Sequence, residues 1–195
     1  SVEDRKLKRR LALKLLPVEF TKDAGRVVRF TREARAASAL NHPNIVTIFE
    51  IGQCVHGHFI VMELVDGRTV RRIIDQGCSI AEISQIGRQI AQGLAVAHKA
   101  GITHRDIKPE NIMVRHDGYV KLLDFGLVLL TLAVKTSSDT AAADTASAPG
   151  NILGTPQYMS PEQARGIEVS HATDIFSLGL VLYELATRQH PFGRS

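Results

Sequence analysis

The sequence predicts an α+β fold in two lobes, on three observations. Strand-like alternation and a single helix pattern fill the chain before Asp66-Gly67. Mostly helical patterns follow, starting from a capping signal at Ser79. Finally, 195 residues that are 44% hydrophobic and 23% charged provide enough apolar material for a buried core. The expected division is a small lobe at 1–66 and a larger one at 67–195.

In the first lobe, Leu11 to Leu16 alternates as a strand closed by Pro17, which puts Ala12, Lys14 and Leu16 on one side. Phe30, Ala34, Ala37 and Leu40 recur at helical spacing within 26–40, and Asn41-His42-Pro43-Asn44 stops that helix. Ile45–Ile51 and His58–Leu64 read as further strands. In the second lobe, Ser79 and Glu82 form a capping box. Behind it, Ile83, Ile86, Ile90, Leu94 and Ala97 give a long apolar stripe. Ile112–Val114 and Tyr119–Leu123 form a hairpin about Asp117-Gly118. Leu132–Pro149 is small and polar and predicts a mobile surface loop; Ala172–Thr187 predicts an apolar helix.

The formal net charge is +4, but the basic residues are spread along the chain. The one dense cluster, Arg5 to Arg10, fits a turn between strands better than a nucleic-acid arm, so no nucleic-acid partner is expected. Cys54 and Cys78 show neither metal-ligand nor disulfide spacing, which favours a reducing, cytoplasmic setting. The apolar run Ile175–Leu185 is broken by Ser177, Gly179, Tyr183 and Glu184, so it reads as a buried helix and not a membrane segment. The oligomeric state stays open.

The hairpin carries a geometric argument for chemistry. A two-residue turn at Asp117-Gly118 would place Val114 opposite Lys121 and Asn111 opposite Asp124, with facing Cβ atoms roughly 5 Å apart. An amide oxygen and a carboxylate would then reach one hard cation such as magnesium. Asp106 and Lys108 lie on the loop leading in, and Gly126 allows the chain to turn away. A carboxylate, a lysine and two oxygen ligands at one strand edge suit phosphoryl transfer.

His104-Arg105-Asp106-Ile107-Lys108-Pro109-Glu110-Asn111 and Asp124-Phe125-Gly126, with Ala12-Leu13-Lys14 upstream and Ser160-Pro161-Glu162 downstream, resemble the motifs of protein kinases. The resemblance runs end to end and is to the bacterial-type serine/threonine kinases, truncated at both ends. It implies a partial, two-lobed protein-kinase-like fold that uses ATP and Mg2+ to phosphorylate serine or threonine hydroxyls of a protein substrate.

By the same resemblance, Asp106 is the catalytic base, Asn111 and Asp124 are metal ligands, and Lys14 holds the α- and β-phosphates with Glu33 as its partner. Ala12 and Met113 would enclose the adenine, Glu63 to Val65 would form the hinge, and Met62 would gate the pocket behind it. Plain core packing would use the same residue types at Met62 and Met113. Lys108 marks the serine/threonine form of the loop, and Thr155 would hydrogen-bond Asp106 and Lys108. Asp174 would anchor the catalytic-loop backbone. Arg105 would pair with a phosphate on Thr131, Thr136, Ser137, Ser138, Thr140, Thr145 or Ser147; the alternative is a long linker with no regulatory site.

No G-x-G-x-x-G occurs in the chain; the family's phosphate-covering loop is expected before Ser1, and its last helices after Ser195. Those helices normally supply a partner for Glu162, which would otherwise be left unpaired. Relatives of this type often continue into a membrane span, so the full-length protein could be membrane-anchored. Two other readings compete. A non-catalytic scaffold is disfavoured by intact Lys14, Asp106, Asn111 and Asp124. A small-molecule phosphotransferase is disfavoured by the Thr155–Glu162 segment, which resembles the segment that docks the protein acceptor in bacterial serine/threonine kinases.

Overall fold

The computed structural model describes residues 1–16, 24–55, 57–125 and 156–193. Its first sheet contains β1 (Val2–Asp4), β2 (Arg9–Leu15), β3 (Ile48–Cys54) and β4 (Gly57–Glu63), in the order β1-β2-β4-β3. All neighbours are antiparallel. The basic run is the β1–β2 turn: the Asp4 carboxylate accepts the backbone N–H groups of Lys6 and Leu7, at 3.0 and 3.1 Å. Helix α1 (Ala24–Ser38) packs Phe30 and Ala34 against the sheet in a cluster with Leu16, Val46, Ile60, Met62 and Val65. The apolar spacing read from the sequence is therefore the buried face.

The second sheet, β5 (Gly67–Thr69), β6 (Ile112–Arg115) and β7 (Val120–Leu122), is covered by helices α2 (Val70–Gln76) and α3 (Ile80–Lys99), against which α5 (Ala172–Thr187) packs; the short α4 (Pro161–Ala164) precedes α5. α3 starts at the expected capping box, with both Ser79–Glu82 bonds formed. It buries Ile86, Ile90, Leu94 and Ala97, each large side chain contributing roughly 1.5–3 kcal/mol. α3 meets the hairpin at Gly93, where an added Cβ would lie 2.9 Å from Leu122 Cδ1. α5 buries Leu178, Val181 and Leu185 while Ile175 and Tyr183 stay exposed.

The two cores interlock through the end of α1 and the segment after it. Ala37, Leu40 and Ile45 belong to the second cluster, although they lie in the first third of the chain. Val46 N–H donates to Leu122 O at 2.9 Å, and Leu122 N–H donates to Asn44 O at 2.8 Å. Among the described residues, no helix is long and apolar enough to cross a membrane. The polar segment 132–149 lies outside the described residues.

Candidate active site

The catalytic loop is shaped by buried bonds. Asp174, on α5 and fully buried, accepts the backbone N–H of His104 and of Arg105, each at 2.8 Å, and the His98 ring at 2.7 Å. His104 is also fully buried; its Nε2 donates to the Leu123 carbonyl at 2.8 Å, leaving Nδ1 to accept from Asp106 N–H at 3.3 Å. Burial holds the His104 ring below the ordinary imidazole range, against the opposing pull of Asp174 and Asp106, so it stays neutral. Pro109–Asn111 then forms a 3-10 turn. Around Asp106 Oδ2 stand Lys108 Nζ at 2.8 Å and Asn111 Nδ2 at 2.6 Å.

The hairpin register differs from the expected one. Ile112 faces Leu122, Met113 faces Lys121 and Val114 faces Val120. Lys121 therefore does not oppose Val114, and Asn111 meets Leu123 rather than Asp124, through Leu123 N–H to Asn111 O at 2.9 Å. The cause is one extra turn residue. Gly118 N–H closes onto Arg115 O at 3.0 Å, and Gly118 takes φ +83°, which an L side chain rarely adopts. Asp124 remains close in sequence to that edge, with its own backbone at φ +60°. The Asn111 amide nitrogen is spent on Asp106, leaving its oxygen as the atom suited to a hard cation. With the Asp124 carboxylate this is a sparse all-oxygen set, which fits magnesium shared with phosphate and water. Among the described residues, no cluster of three or more His, Cys, Asp or Glu could hold a metal.

Lys14 pairs with Asp124, at 2.7 Å, and not with Glu33. Glu33 lies instead against Arg105, 3.7 Å from Nη1. Burial raises the Glu33 carboxyl above its usual range, opposed by Arg105, Arg32 and Arg29. Its Oε2 is buried without a hydrogen bond, as is Arg105 Nε. The pair is thus long and incompletely bonded, beside a cavity of about 190 Å3 lined by Arg32, Ile102, Thr103 and Phe125 among others.

At the residues expected to enclose adenine, β2 and β4 place Ala12 opposite Met62 and Leu11 opposite Glu63. Ala12 and Met113 pack on one cluster with Met62 and Val65. The Glu63 side chain is gripped by Lys121 Nζ at 2.8 Å and by Thr47 N–H at 3.3 Å. Lys121 is buried against the expected hinge, a contact that sequence reasoning missed; a lysine alternating in a strand gave no such signal. Glu162 is not unpaired: Thr173 Oγ1 donates to it at 2.7 Å. Ser160 and Gln163 form a second capping box, and Gln163 Nε2 ties it to Arg105 O at 2.8 Å. Thr155, Gly126 and the candidate phosphosites from Thr131 to Ser147 lie outside the described residues.

A two-lobed α+β chain with a buried aspartate under an ion-paired loop defines the class, and comparison with known proteins makes it specific. The protein kinase domain model matches residues 1–195, and the chain belongs to that family. It is 42% identical over 191 residues to a probable serine/threonine-protein kinase of Clostridium acetobutylicum, covering 97% of this chain and 28% of that protein. It is 41% identical over 192 residues to the serine/threonine-protein kinase PrkC of Bacillus subtilis, covering 97% and 28%. With the serine/threonine-protein kinase PknB of Mycolicibacterium smegmatis it shares 40% over 195 residues, covering 97% and 30%. The chain spans less than a third of these relatives' length. Its resemblance is thus to bacterial-type serine/threonine kinases, a class of transferase that uses ATP and Mg2+.

Proposed function

We propose that the protein carrying this chain transfers the γ-phosphoryl group of ATP to serine or threonine hydroxyls of proteins. The observation that carries the reading is the arrangement around Asp106, whose carboxylate is steadied by both Lys108 and Asn111. Asp106 orients the acceptor hydroxyl and takes its proton as the oxygen–phosphorus bond forms and the bond to ADP breaks. Lys108 offsets charge on the transferred group, with Thr155 assisting. Lys14 is the cation for the α- and β-phosphates, and Glu33 the residue it would exchange onto. Asn111 and Asp124 are the ligands for Mg2+, which when bound neutralises phosphate charge. Ala12, Met62, Glu63, Val65 and Met113 line the adenine site.

Residues 1–66 act as the small lobe and 67–195 as the large lobe, placed on the cytoplasmic side of any membrane anchor elsewhere in the protein. Loop phosphorylation would draw Arg105 from Glu33, since that pair is long and poorly satisfied. In the full-length protein, Asp106→Asn should abolish phosphate transfer while nucleotide still binds. Undiminished transfer in that variant would refute the assigned base, and binding without turnover in the unaltered protein would favour a scaffold.

A further inference from the structure

One arginine joins parts of the molecule that the catalytic reading treats separately. Arg71 is the second residue of α2, whose first turn is fixed by Thr69 Oγ1 accepting Arg72 N–H at 3.3 Å. Its Nε donates to Glu110 Oε1 at 2.7 Å, its Nη1 to Glu184 Oε1 at 2.6 Å and its Nη2 to the Tyr158 hydroxyl at 2.6 Å. The Tyr158 hydroxyl in turn donates to Glu184 Oε2. Each guanidinium nitrogen thus serves a different residue, on the catalytic loop, α5 and the segment leading into Ser160-Pro161-Glu162.

Each partner stands next to the chemistry. Glu110 directly precedes Asn111, whose amide grips Asp106. Tyr158 ends the 3-10 turn Pro156–Tyr158, its carbonyl accepts from Ser177 Oγ at 2.7 Å, and its ring meets His190 edge-on at 5.0 Å. Glu184 is almost fully enclosed, with 8% of its side chain exposed, whereas 47% of Glu110 is exposed. The planar fork of arginine serves three acceptors in fixed directions at once; a lysine has one point charge to offer.

We propose that Arg71 is a positioning residue that fixes the acceptor-docking segment relative to the catalytic loop, and so sets where the acceptor hydroxyl meets Asp106. Among the described residues, Arg71 bonds to Glu110, Glu184 and Tyr158 and not to Lys14, Glu63, Lys121 or Asp124, so the nucleotide side is not coupled to it directly. A misplacement on the order of 1 Å at the reacting atoms costs up to roughly a hundredfold in rate. The inference rests on the kinase reading given above, and its test separates the two.

The experiment is steady-state kinetics on the full-length protein, varying a peptide acceptor and ATP independently. The variants are Arg71→Ala, Arg71→Lys, Glu110→Gln and Tyr158→Phe, with Asp106→Asn as control. Arg71→Ala is expected to lower kcat/KM for the acceptor by about ten- to a hundredfold while KM for ATP stays within about twofold. Arg71→Lys restores part of the loss. Glu110→Gln and Tyr158→Phe each lose less than Arg71→Ala, and adding Glu110→Gln to Arg71→Ala costs little more. Acceptor and ATP parameters falling together, in proportion to folded protein, would overturn the proposal, as would unchanged acceptor kinetics. Should Arg71→Ala not fold, Glu110→Gln and Tyr158→Phe decide it, because neither removes the Arg71–Glu184 pair; no acceptor effect in both overturns it. An active Asp106→Asn overturns the kinase reading itself; an inactive one beside normal Arg71 variants overturns this inference alone.

Discussion

Replacing Asp174 tests whether one buried carboxylate shapes the catalytic loop. It is fully buried and accepts three hydrogen bonds, two of them from consecutive backbone N–H groups. Asp174→Ala leaves the His104 and Arg105 amides without that acceptor. A buried donor without a partner costs about 1–3 kcal/mol, so two such groups cost about 2–6 kcal/mol. Asp174→Asn keeps one carbonyl oxygen, still accepting from one amide, while its NH2 opposes the other; about 1–3 kcal/mol follows. Against a total stability of about 5–15 kcal/mol, the alanine loss is a large fraction. Urea unfolding of the full-length protein, followed through the kinase domain, should rank the variants as native, Asn, then Ala. An alanine variant within about 1 kcal/mol of the native protein, or more stable than the asparagine one, would refute the account.

Two further predictions concern buried ionisable groups. Lys121→Met removes the ammonium that grips Glu63, and the loosened hinge should raise KM for ATP roughly fivefold, about 1 kcal/mol, with acceptor KM unchanged. Glu63→Gln should shift it in the same direction, and an unchanged ATP KM in both variants rules out the grip. Because burial lowers the His104 pKa below its unfolded value of 6.5, the unfolded chain binds the extra proton more readily. Its contribution to stability is complete above about pH 6.5 and is lost as pH falls through that value towards the folded pKa. Thermal melts from pH 7.5 to 5 should therefore show a slope that His104→Phe reduces; equal slopes would contradict the assignment.

What the sequence made legible was whatever local chemistry dictates. The α3 start could be read because a capping box and an apolar stripe agree within one segment. The hairpin was found but misregistered by one residue, since Asp117-Gly118 fits a two-residue turn and a three-residue turn ending in a left-handed glycine equally well. α2 was missed because its seven residues are too few for a helical period to show. Ion-pair exchange was illegible for another reason. The motif spacing brings Lys14, Glu33, Arg105 and Asp124 into one region, but which acid takes which base depends on tertiary distance. Arg71 and Glu184 meet across 113 positions, and no local pattern encodes that.

The backbone of the site supports the same separation between local signal and tertiary cause. Arg105 and Asp124 both sit at positive φ, 66° and 60°, without being glycine. A left-handed conformation costs an L residue roughly 1–2 kcal/mol, less for aspartate, so something must hold each in place. At Arg105, the left-handed turn lets its amide and that of His104 converge on the two oxygens of Asp174. On the other side, the Leu123 carbonyl just before Asp124 accepts from His104 Nε2, and the Asp124 carboxylate meets Lys14. His104 is therefore the link between the two strained residues, with its backbone on Asp174 and its ring on Leu123. A neutral, fully buried imidazole is suited to that task, because it donates from one nitrogen and accepts at the other without a charge to solvate. The strain at Arg105 and at Asp124 is thus one structural feature, held between Asp174 and Leu123 by the backbone and ring of the buried His104.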